Sequence, residues 1–182
     1  VVERCDPSSL AVRLPEGEVV PATILAVHKG EADLAALRTG RVTDSFASLR
    51  IYQGGRTSLP SSPEDVFTAG FSYPEKNKFK LQMRWGQITG FVDKNRKKVG
   101  LSEFNVARID ADPGASGSAV LDYSGLLIGV VYARSIDQFG ESDKMATYGY
   151  GRHEVYMLNN DAIVEFANEN NLHLSAWDKG VL

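Results

Sequence analysis

The stretch Asp112-Pro113-Gly114-Ala115-Ser116-Gly117-Ser118-Ala119-Val120 has the residue types that nucleophilic catalysis needs. A serine hydroxyl is a weak nucleophile in water. It becomes effective when a base removes its proton and fixed donors receive the oxyanion. A glycine two positions before the serine lets the backbone curl, so that the Gly114 and Ser116 N–H groups can converge on one hole. Gly117 keeps side-chain bulk away from the carbonyl under attack. By itself a Gly-x-Ser-Gly tetrapeptide also suits a plain hairpin turn. A second group adds to it: in Glu31-Ala32-Asp33-Leu34-Ala35-Ala36-Leu37, Asp33 stands at the lip of an apolar run. A carboxylate placed there can orient a histidine and stabilise its imidazolium form.

Such groups need a rigid frame, and the apolar pattern predicts a pleated one. Residues 10–14 and 46–52 alternate apolar and polar, and 19–27 is nearly continuous apart from Pro21. Residues 65–69, 78–85, 87–92, 99–109, 117–121 and 126–133 read as further strands. Turn chemistry separates them at Pro15-Glu16-Gly17, Gly54-Gly55, Asp93 to Lys98 and Asp122 to Gly125. The residues after Ser116 continue as strand, which argues against the strand-elbow-helix arrangement of α/β-hydrolases. Only 160–170 has helical spacing, with Asn160 or Asp161 expected to accept a hydrogen bond from a first-turn amide. The Ser-Pro-rich stretch 58–63 is the expected connection between two halves.

The 182 residues include 20 Lys and Arg against 23 Asp and Glu, for a net charge of −3. That balance speaks against a general polyanion binder, so no nucleic-acid partner is expected. The longest apolar stretch, Leu126 to Ala133, is too short to span a membrane as a helix. Cys5 is the only cysteine, so no disulfide or cysteine-built zinc site can form within the chain. It fits a reducing compartment and equally an exported fold that needs no cross-link. From Lys76 to Lys98 eight basic residues stand against Asp93 alone, which reads as the solvated face and tip of a hairpin.

Taken in order, Asp33-Leu34-Ala35-Ala36-Leu37, Ala69-Gly70-Phe71-Ser72-Tyr73-Pro74, Trp85-Gly86-Gln87-Ile88-Thr89-Gly90 and the Ser116 segment resemble trypsin-like serine peptidases. The closest look is to the disulfide-free high-temperature-requirement (Deg-type) proteases, and it runs from about Val12 to Phe166. The resemblance implies an all-β fold of two packed six-stranded β-barrels with a C-terminal helix and the catalytic cleft between the barrels. It divides the chain into 1–60 (first barrel, carrying Asp33), 61–158 (second barrel, carrying Ser116) and 159–182 (helix and tail). It implies Ser116 as nucleophile, Asp33 as triad acid and the Gly114 and Ser116 amides as oxyanion hole. It also implies a peptide or protein substrate, an acyl-enzyme, no cofactor or metal, and an extracytoplasmic site.

One departure concerns the histidine. In the family it precedes the acid and is often followed by two valines, and this chain opens Val1-Val2-Glu3. The catalytic histidine is therefore expected immediately before Val1, with the first barrel incomplete at its N-terminus. His28 is too close to Asp33 to replace it and reads as a strand-end histidine; His153 and His173 lack metal-ligand spacing. The resemblance places Asp110, Ala111, Tyr132, Ala133, Arg134 and Glu154 around the primary substrate pocket. Asp110 and Glu154 there would favour a Lys or Arg side chain. Arg134 at the mouth would instead pair with one of the acids, a structural ion pair. Ala115 stands where trypsin has an acid that pairs with a new N-terminus, so regulation must act through loop ordering or assembly. Two other readings stay open: a catalytically silent peptidase-like scaffold, and a viral peptidase that processes its own polyprotein. Oligomeric state is likewise open.

Overall fold

The computed structural model describes residues 9–14, 17–28, 34–40, 49–51, 64–75, 78–92, 98–99, 104–109, 115–134 and 154–172. The chain divides into two units, Val1–Ser48 and Leu49–Leu182. In the first, β1 (Ala11–Arg13), β2 (Val19–Val27) and β3 (Ala35–Thr39) form an antiparallel sheet in that order. Alternation along β2 buries Val20, Ala22 and Ala26, the inward half of a two-residue period. Pro21 sits at an exposed position of β2, and its carbonyl accepts the Gly40 N–H at 2.9 Å. The His28 N–H donates to the Leu34 carbonyl at 2.9 Å, so His28 follows β2 at the strand's end.

The second unit is built on a closed barrel. Its strands are β5 (Glu64–Glu75), β6 (Lys78–Val92), β8 (Phe104–Ile109), β9 (Ala119–Leu121), β10 (Leu126–Arg134) and β11 (Glu154–Asn159). They pair in the order β11-β8-β6-β5-β9-β10, and β10 closes the ring on β11. Closure leaves these six strands without the open edges of a flat sheet. Two short strands attach to it: β7 (Lys98–Val99) pairs with β6, and β4 (Arg50–Ile51) lies parallel to β10 at Leu126 and Leu127.

Residues from all six strands fill the interior: Val66, Ile88, Ala107, Ile109, Val120, Ile128, Val131, Val155 and Met157. β-Branched side chains dominate because they are stiff and pack well on a pleated surface. The sequence reads 78–85 and 87–92 as two strands, but β6 runs through Gly86 as one of 15 residues. A Cβ at Gly86 would strike the Arg108 carbonyl oxygen and the Ile109 side chain, so the glycine permits a close approach rather than ending the strand. Residues 65–69 likewise extend into the 12-residue β5, while the run 99–109 divides into β7 and β8.

The helix α1 (Asn160–Glu169) lies where its spacing predicts and buries Ala162, Ile163, Phe166 and Ala167. Its cap differs from expectation. The Asn159 side chain, not that of Asn160 or Asp161, accepts the Ala162 N–H at 3.1 Å. β11 runs directly into the helix, so the last strand residue is the one with extended dihedrals (φ −79°, ψ 171°), which a capping residue needs. Among the described residues no helix is long and apolar enough to cross a membrane.

Candidate active site

Ser116 sits on a tight turn that leads into β9. The Ser118 N–H donates to the Ala115 carbonyl at 3.0 Å, closing a four-residue turn whose third residue is Gly117. Gly117 has φ +87°, the left-handed value that this position of a type II turn demands. A Cβ there would meet nothing within 4 Å, so the requirement is conformational and not steric. Ser116 occupies the second position and is exposed.

Both flanks of the turn are fixed. Ala115 packs against the barrel core. The Gly117 N–H donates to the Val131 carbonyl at 2.8 Å, and the Val131 N–H returns a bond to the Ser118 carbonyl at 2.9 Å. On the other side the buried Thr68 hydroxyl donates to the Ala119 carbonyl at 2.9 Å. Gly70 of β5 lies so close that a Cβ would overlap the Ser118 side chain. Anchors on β5 and β10 thus hold the serine turn from both sides while Ser116 itself remains accessible.

The Ser116 hydroxyl donates to the Tyr132 carbonyl at 3.4 Å, at the long end for such a bond and hence weak. Among the described residues no backbone acceptor takes the Ser116 N–H. The turn therefore presents a lightly held hydroxyl and a backbone donor from one residue. Tyr132, one of the predicted pocket residues, meets Ser116 through its backbone, a role that its side-chain type does not signal.

Ala133 and Arg134 follow Tyr132 on β10 and pair with Tyr156 and Val155 of β11. Glu154, the first residue of β11, is in register with Arg108 of β8, which is in turn in register with Gln87. Asp33, Asp110, Ala111 and Gly114 lie outside the described residues, as do His153 and His173.

A closed antiparallel barrel, a strand-flanked serine turn and a terminal helix are the features of the trypsin fold. The chain belongs to the trypsin-like peptidase domain family, which matches residues 1–130. Among solved structures it is similar to Rv3671c of M. tuberculosis H37Rv, a serine-to-alanine mutant in an inactive form. That match has 14% identity and a TM-score of 0.56, covering 87% of this chain and 69% of that one. It is also similar to the HtrA-type protease AlgW solved with a decapeptide, at 18% identity and a TM-score of 0.63. The match covers 90% of this chain, which spans only 44% of the AlgW chain. At these identities the likeness is one of fold. No curated protein matches the sequence.

Proposed function

We propose that this protein is a serine endopeptidase acting on peptide or protein substrates through an acyl-enzyme. Ser116 is the nucleophile, a histidine the general base, Asp33 the acid that orients it, and the Gly114 and Ser116 amides the oxyanion hole. The Ser116 oxygen attacks the scissile carbonyl as the imidazole takes its proton. The tetrahedral oxyanion sits against the two amides. Collapse expels the amine, which receives that proton, and leaves an ester on Ser116. Water, deprotonated by the same imidazole, then hydrolyses the ester and restores the hydroxyl.

The observation that carries this reading is the Ser116 turn. Its hydroxyl is exposed and weakly bonded, its amide has no backbone acceptor among the described residues, and its flanks are locked to β5 and β10. An exposed hydroxyl and an available amide on a turn braced from both sides meet the geometric needs of a nucleophile. Membership of the trypsin-like peptidase family supports the assignment.

A fluorophosphonate should label the full-length protein covalently, and Ser116→Ala should abolish labelling with unchanged circular dichroism. Asp33→Asn should slow it by about 10³–10⁴-fold through loss of the correct imidazole tautomer. Labelling that persists in Ser116→Ala moves the nucleophile elsewhere. A wild-type protein that never labels makes the domain a scaffold.

A further inference from the structure

The outer face of the β5–β6 pair carries a run of large apolar side chains where a solvated barrel surface would be polar. On β6 the alternate positions Leu81, Met83 and Trp85 are 60%, 57% and 59% exposed. Across the ladder they stand in register with Phe71, Ala69 and Phe67. Phe71 is 49% exposed, and the Phe67 ring lies 5.0 Å from that of Trp85. Tyr123, on the β9–β10 turn and 70% exposed, continues the patch with its ring 5.9 Å from Trp85. Single exposed apolar residues are ordinary, but a contiguous stripe that crosses two strands and a neighbouring turn is not.

We propose that this stripe is the contact surface of a homodimer, two copies packing their β5–β6 faces about a two-fold axis. Exposed area and the symmetry of the face support this occupant. If a large side chain has about 200 Å² in full, Phe71, Leu81, Met83, Trp85 and Tyr123 together leave roughly 600 Å² of apolar surface in water. A stable interface needs about 800 Å² per partner, of which the apolar centre is the larger part and a polar rim the rest. The face therefore suffices for a dimer without a further element. A sheet face with one central Trp is suited to a two-fold axis, because each stripe meets an identical one.

A net charge of −3 opposes such association only weakly.

The test is sedimentation equilibrium of the full-length protein at about 1–100 μM, a range in which an interface of this size is populated. Wild type should dimerise. Trp85→Glu should raise the dissociation constant at least about a hundredfold, because the two-fold axis places the charge in the contact twice. Tyr123→Glu, outside the ladder, should do the same and serves if Trp85→Glu fails to fold. Val19→Glu, at an exposed position of β2, should leave the dimer intact. A wild type that stays monomeric at 100 μM overturns the proposal. So does a dimer indifferent to both stripe variants, or a monomer whose stripe instead binds lipid vesicles. The outcome is independent of fluorophosphonate labelling.

Discussion

The approach of Gly70 to Ser118 makes the seating of the nucleophile turn measurable. A Cβ on Gly70 would overlap the Ser118 Oγ and Cβ, with the Ser118 Cα 3.2 Å away. Ser118 is 8% exposed and follows directly on the Ser116-Gly117 corner, so it cannot swing into solvent. Gly70→Ala should therefore cost about 2–3 kcal/mol, the upper part of the roughly 1–3 kcal/mol typical of forcing an extra carbon into a packed site. Ser118→Gly alone should cost about 1 kcal/mol, chiefly backbone entropy. In the double variant the overlapping oxygen and Cβ are gone. Only the 3.2 Å approach to the backbone of residue 118 remains, tight but relieved by a small shift. The pair should then be less destabilised than the sum of the singles by about 1–2 kcal/mol, well above the additivity error of distant sites. Urea denaturation of the four proteins gives the cycle, and fluorophosphonate labelling should fall in Gly70→Ala and partly return in the double variant. Strict additivity would mean that Gly70 and Ser118 are not in tight contact, leaving the Thr68 hydrogen bond and the β5–β9 ladder as the only hold of β5 on the turn.

Two further expectations concern the barrel's rim and its helix. The carboxylate of Asp65 beside the Tyr123 hydroxyl, with their 3.3 Å hydrogen bond, raises the phenol above its ordinary value of 10.0. Because the folded-state value is raised, the contact stabilises the fold fully below about pH 10 and loses its effect as pH rises through the folded-state value. Asp65→Asn should return the Tyr123 titration toward 10.0 by NMR of labelled tyrosine, and an unchanged titration would remove Asp65 as the cause. Asn159→Ala should destabilise the second unit by about 1 kcal/mol in thermal unfolding, since the Ala162 N–H loses its acceptor. No loss would mean that another group caps the helix.

Sequence pattern alone locates most of the strands, because apolar alternation and turn residues are local signals. β2 spans the run read from 19 to 27, and α1 matches its predicted span to within a residue. What escapes a local reading is set by distant partners. Gly86 looks like a break between two strands, yet it lies inside one because β8 presses against it. Asn159, assigned from the sequence to the helix and tail, is the last strand residue and acts as the cap because β11 turns directly into helix. At the site, the Ser116-Gly117 turn is legible from the glycine, whereas its dependence on Gly70, Thr68 and the Tyr132 carbonyl is not. Thr68 is 51 residues from the Ala119 carbonyl it holds, and Tyr132 is 16 from Ser116, beyond the reach of any local pattern. The apolar stripe is hidden for the opposite reason: alternation shows two faces of a strand but not which one meets water.

The parallel pairing of Arg50 and Ile51 with Leu126 and Leu127 bears on how the barrel can be handled in isolation. The Ser-Pro-rich stretch from 58 to 63 invites an excision point, yet a fragment begun there would strip β10 of its neighbour at the strand's start and bare hydrogen-bonding backbone. Begun ahead of Leu49, the same fragment carries its own cover, and β10, the strand against which the nucleophile turn is braced, keeps both flanks.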